Sequence, residues 1–151
     1  MNNASDQPLA IGLQYIQSMR VLDRHTVPKV EPDWPGFSDM PPVLATAVMV
    51  GFVEQTCIEG LRPYLVAGQH SVGTHVSVSH TNPTPVGMEI TAKIDLIDID
   101  GRKLSFRISI SDEEGLIGEG LHERYIIDVS SFMDRVRGKS EIVRTEPIAI
   151  S

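Results

Sequence analysis

Glu54 closes a run, Val43 to Val53, in which only Thr46 and Gly51 are not apolar. Burying a carboxylate is costly unless it is paired or hydrogen-bonded, and burial tends to raise its pKa. Thr46 lies eight residues earlier, about two helical turns away and roughly 80° around the axis, so its hydroxyl and the carboxylate are able to border one pocket. A third polar group stands out in Ser71-Val-Gly-Thr-His-Val-Ser-Val-Ser-His80. Period-2 alternation there puts His80 on the face of Val72, Thr74, Val76 and Val78, the face expected to meet the core. A carboxylate, a hydroxyl and an imidazole are the side chains of general acid–base and nucleophilic catalysis. Each also has a plainer reading. Glu54 can mark where the helix emerges into solvent, with Glu59 and Arg62 continuing a wet face, and His80 can be a core histidine satisfied by a backbone carbonyl.

The element carrying Thr46 and Glu54 reads as one long helix. The proline pair Pro41-Pro42 suits a helix start and Pro63 its end, giving about twenty residues and roughly 30 Å. No polar residue recurs at the spacing of an amphipathic surface helix, so the pattern predicts burial on nearly all sides. The unbroken apolar part is too short to span a membrane. Before it, a strand is expected within Leu13–Val27. A proline-rich segment bearing Trp34 and Phe37 then leads into the helix, as a pocket lid or a cap on the core.

After the His80 strand and a turn-rich connector, Met88, Ile90, Ala92, Ile94 and Leu96 share one strand face. The apolar phase slips at Ile97 and Ile99, which predicts a bulge. Asp100-Gly101 signals a hairpin. Leu104, Phe106, Ile108 and Ile110 form the next inward face. A last strand, Leu116 to Val129, carries Gly118, Gly120, His122 and Arg124 in one row, where paired glycines imply close approach by a backbone or ligand. Ser130 is placed to cap a short helix, Ser131 to Gly138. One buried helix and an antiparallel sheet make an α+β layer architecture, and a helix this apolar predicts pairing of two such units.

The expected organisation is a loose end over residues 1–12, one domain over 13–138, and a poorly ordered tail over 139–151. The formal charge of −7 and the few aromatics argue against a nucleic-acid surface. The single cysteine, Cys57, excludes an intrachain disulfide and suggests a reducing compartment, with a cytoplasmic location expected. No metal-ligand spacing, phosphate loop or GxSxG elbow occurs.

The ordered set Pro42 to Glu54, Ser71-Val-Gly-Thr74, His80-Thr81 with Thr84-Pro85 and Gly87, Asp100-Gly101-Arg102, Ile117-Gly118-Glu-Gly120, His122-Glu123-Arg124 and Phe132 resembles the fluoroacetyl-CoA thioesterase family of the hotdog thioesterases. The resemblance implies a hotdog fold and a homodimer with its sites at the subunit interface. It implies hydrolysis of a short or medium acyl-CoA, with CoA as part of the substrate and no separate cofactor. Catalytic threonine, glutamate and histidine fall on Thr46, Glu54 and His80. Gly73 matches a glycine beside the reacting carbonyl, a place for an oxyanion donor, and Arg124 an arginine near the acyl-CoA site. Glu54 then serves as base or nucleophile, His80 manages the proton, and Thr46 attacks or orients water. Met40 stands where the fluoroacetyl-selective pattern has an aromatic, with Phe37 and Trp34 close by. The competing reading is a catalytically silent hotdog module that binds acyl-CoA or serves as a dimeric interaction unit.

Overall fold

A computed structural model describes residues 8–145. In chain order the elements are β1 (Gln14–Arg20), the short helices α1 (Val27–Val30) and α2 (Pro35–Ser38), and the long α3 (Thr46–Leu61). Then come β2 (Gln69–Val78), β3 (Glu89–Asp100), β4 (Lys103–Asp112), β5 (Gly115–Asp128) and α4 (Val129–Thr145). The five strands form one antiparallel sheet in the order β1-β3-β4-β5-β2. The inward rows of β3 (Ile90, Ala92, Ile94, Leu96) and β4 (Leu104, Phe106, Ile108, Ile110) are fully buried. They share one core with Met49, Phe52, Val53, Cys57 and Leu61 of α3. The expected bulge is present, since the β3–β4 register shifts between Leu96 and Asp98. Gly101 turns that hairpin at φ +61°, a conformation open to glycine at no steric cost.

Three expectations need correction. Helix α3 starts at Thr46 rather than at the proline pair, because the backbone just before it is committed elsewhere. Val43 O accepts from Val27 N, Leu44 N donates to Thr84 O, and Ala45 N donates to His25 O. These links hold residues 43–45 extended, and the helix is 16 residues long, about 24 Å. Nor is it buried all round. Ala47, Gly51 and Gln55, four residues apart, form an exposed stripe beside half-buried Val50 and Glu54. One curved sheet covers only one side of a helix, and Ala47 and Gly51 keep the other side low. At the C-terminus, α4 begins at Val129, whose N–H meets Gly68 O, and runs through Gly138 to Thr145. The tail expected from residue 139 is therefore helical as far as 145.

Of the expected loose end, residues 1–7 lie outside the described residues. Gly12 N donates to Leu96 O, and Leu9 and Leu13 pack against the core. No helix among the described residues is long and apolar enough to cross a membrane.

The glycine row of β5 serves backbone approach. A Cβ on Gly120 would lie 1.9 Å from Ser77 O, and one on Gly118 2.1 Å from Ser79 O. Gly120→Ala is therefore expected to push β2 off β5 and cost on the order of 1–3 kcal/mol, as overpacking does. Urea denaturation checks this, and a wild-type midpoint would show that the two strands have room to spare.

Candidate active site

The same glycine row sets His80. With no side chain at Gly118, the chain beyond β2 lies flat on β5. Ser79 N donates to Glu119 O at 2.9 Å and Thr81 N to Ile117 O at 2.8 Å. His80, fixed between them, directs Nδ1 at the Thr46 hydroxyl, 2.8 Å away. Thr46 is held from its own side by the extended segment before α3. That segment docks on Thr84, whose buried hydroxyl donates to Asp112 at 2.8 Å. Thr46 and His80 are thus brought together by four separate chain segments. Burial lowers the His80 pKa, outweighing the Asn82 backbone, which acts the other way, so the imidazole is neutral near pH 7. Its Nε2 is enclosed and, among the described residues, meets no acceptor at hydrogen-bond geometry.

Glu54 sits in a different cluster. Its carboxylate accepts from Arg124 Nη1 at 2.9 Å. Arg124 is only 2% exposed, and its remaining donors are engaged too. Nε donates to Ser71 Oγ at 2.8 Å, Nη2 to Ser71 O at 2.8 Å, and Nη1 also approaches His122 Nε2 at 3.1 Å. Gly73 completes the cluster by omission, since a Cβ there would stand 2.6 Å from Glu54 Oε2. The carboxylate faces an open cleft of about 400 Å³ lined by Val50, Gly73, Thr74, His75, Val76 and His122.

A feature of β2 that sequence reading missed explains this arrangement. The β2–β5 register shifts between Gly73 and His75, so Thr74 is bulged and the strand changes phase. Val76, Val78 and His80 keep the inward face, but Val72 pairs with Tyr125, which is exposed. Ser71 and Gly73 turn inward in its place, against Arg124 and Glu54. Ser71 and His122 were not singled out as site residues. The available signal for His122 was its place in the inward row of Gly118, Gly120 and Arg124.

The other candidates lie on the segment before α3. Phe37 is half-buried and meets Trp34 edge-on, with ring centroids 5.1 Å apart. Met40 is 49% exposed. Cys57 is buried beneath the Glu54 cluster, and desolvation pushes its thiol up to about 12, which removes it as a nucleophile at neutral pH. Among the described residues, no three His, Cys, Asp or Glu side chains cluster as metal ligands would.

This constellation has parallels. The family described as fluoroacetyl-CoA-specific thioesterase matches residues 22–130. The chain belongs to that family. A fluoroacetyl-CoA thioesterase of Streptantibioticus cattleyicolor is 37% identical over 132 residues, covering 87% of this chain and 95% of that protein. A solved structure of a fluoroacetyl-CoA thioesterase superposes with a TM-score of 0.85 at 35% identity, covering 93% of this chain and all of the other. A Thermus thermophilus thioesterase superfamily member gives 0.83 at 23% identity, covering 93% of this chain and 99% of its own, which speaks to the fold alone. The sheet curled over α3 is accordingly a hotdog fold, and the protein is an acyl-CoA thioesterase.

Proposed function

We propose that the protein hydrolyses short to medium acyl-CoA thioesters at a site shared between two subunits of a homodimer in the cytoplasm. The single observation that carries the reading is the 2.8 Å contact between the Thr46 hydroxyl and His80 Nδ1, a nucleophile–base pair at working distance. The location is supported by the lone buried cysteine.

Distances within one chain support a shared site. Thr46 and Glu54 are eight residues apart on one helix, about 12 Å along its axis, and Glu54 is tied to Arg124 rather than to His80. A second copy laid antiparallel along the exposed Ala47, Gly51 and Gln55 stripe would bring Glu54 of one subunit to Thr46 and His80 of the other. It would also cover the exposed side of α3 and the free edge of β2.

In such a site the Thr46 oxygen attacks the thioester carbonyl as His80 takes its proton. The backbone N–H at Gly73 is suited to receive the developing oxyanion. The carbon–sulfur bond breaks, and the imidazolium returns a proton to the departing CoA sulfur. Water then attacks the acyl-threonine, giving its proton to Glu54, which passes it back to the Thr46 oxygen as the free acid leaves.

Substrate choice rests on Met40. A flexible, unbranched side chain moves aside where a rigid ring would close over a very small acyl group. One methylene in an apolar pocket is worth only about 1–3 kcal/mol, so acetyl-CoA, butyryl-CoA and fluoroacetyl-CoA are all expected to be cleaved. The test is kcat/KM for the three by thiol release. A fluoroacetyl preference of many thousandfold with no butyryl turnover would show that Trp34 or Phe37 supplies the missing ring. No CoA release from any of them would overturn the function itself.

A further inference from the structure

We infer that His122 is a positioning residue for hydrolysis, setting the Arg124 guanidinium that in turn holds Glu54. The inference rests on the thioesterase reading for its kinetic arm, but its geometry stands alone. His122 Nδ1 lies 2.7 Å from His75 O. A carbonyl only accepts, so Nδ1 carries a hydrogen. On its other side Nε2 lies 3.1 Å from Arg124 Nη1. A guanidinium only donates, so Nε2 presents its lone pair. The one form of the ring that satisfies both neighbours is the neutral Nδ1–H tautomer. The same Nη1 donates to Glu54 Oε2 at 2.9 Å, so a single nitrogen links imidazole and carboxylate.

Several local features converge on this ring. The carbonyl that fixes it follows the bulged Thr74 directly, where the β2–β5 register shifts. His122 is 2% exposed, and a Cβ on Gly73 would stand 3.3 Å from its Cε1. Its charged surroundings are Arg124 on its own strand, Glu54 from α3 and His75 from β2. From β4 its cross-strand partner is apolar Phe106. Burial is the largest influence and lowers the His122 pKa. Arg124 and His75 lower it further, against the opposing effects of the His75 carbonyl and Glu54. A proton arriving on Nε2 would remove the acceptor and set two cations against each other. Nη1 would have to leave, taking from Glu54 the donor that orients it. Activity is therefore present above the His122 pKa and lost as pH falls through it.

The test has a spectroscopic and a kinetic arm. Nitrogen-15 NMR of the imidazoles in the free wild-type protein, with His122 assigned through the signal missing in His122→Gln, is expected to show the Nδ1–H tautomer and titration below the ordinary histidine range. In kinetics, His122→Leu removes the acceptor and is expected to lower kcat about tenfold or more, with KM changed far less. His122→Gln offers an oxygen to Nη1 without titrating. It is expected to recover most of kcat and to lose the acid step that His122 contributes to the pH profile. A folded His122→Leu protein with wild-type kcat and pH profile would overturn the inference. So would an Nε2–H tautomer or a cationic ring at neutral pH. If His122→Leu does not fold, the Gln variant and the NMR arm decide. Wild-type protein inert toward acyl-CoA would instead count against the thioesterase reading, and the tautomer measurement would still decide the role of His122 in holding Arg124.

Discussion

Glu54→Gln is expected to lower kcat for acyl-CoA hydrolysis by about 10²–10⁴-fold, the range set by a positioned general base, while the protein stays folded. The amide keeps the shape of the carboxylate and an oxygen for Arg124 Nη1, but it cannot take a proton from water. Glu54 is 39% exposed on its side chain whereas Arg124 is 2% exposed, so the structural cost falls on the arginine left without its counter-charge. Arg124 retains Ser71 Oγ, Ser71 O and His122 Nε2. The loss of stability is therefore expected to be about 1–3 kcal/mol, too little to unfold the domain. Circular dichroism and a thermal scan separate the two effects. A folded Glu54→Gln enzyme with wild-type turnover would remove Glu54 from the chemistry.

The parts of this site that were legible in the sequence are those fixed by local pattern. Alternation gave the inward rows of β3 and β4, and the phase slip at Ile97 gave the bulge, because each is written in consecutive residues. The interrupted apolar run singled out Thr46 and Glu54, and alternation singled out His80. What escaped depends on distant partners. The start of α3 is set by His25, Val27 and Thr84, which no local signal around Pro41 and Pro42 contains. The Thr74 bulge hides inside a valine alternation that reads cleanly straight through it, so alternation alone puts Val72 inward and Gly73 outward. His122 shares its row with two glycines, and its role depends on Arg124 and Glu54 meeting across separate elements, which no local pattern encodes. The C-terminal helix extends past its expected stop because Gly138, with nothing within 4 Å of the Cβ position, lowers helix propensity without forcing an end.

On the proposed reading, hydrolysis requires Glu54 from one subunit and Thr46 with His80 from the other. Two variants, Glu54→Gln and His80→Ala, each lose one half of every site and are each expected to be nearly inactive. In a mixed dimer, one site collects both defects and the other collects none. Unfolding an equal mixture together and refolding it should give dimers of which half are mixed, so about a quarter of all sites are intact and about a quarter of wild-type activity returns. That is a large rise over either variant alone, and separately refolded samples combined without exchange serve as the control. Recovery near one quarter is the predicted result. If each subunit carried a complete site, every site in the mixture would hold one defect, and activity staying at the level of the single variants would contradict the account.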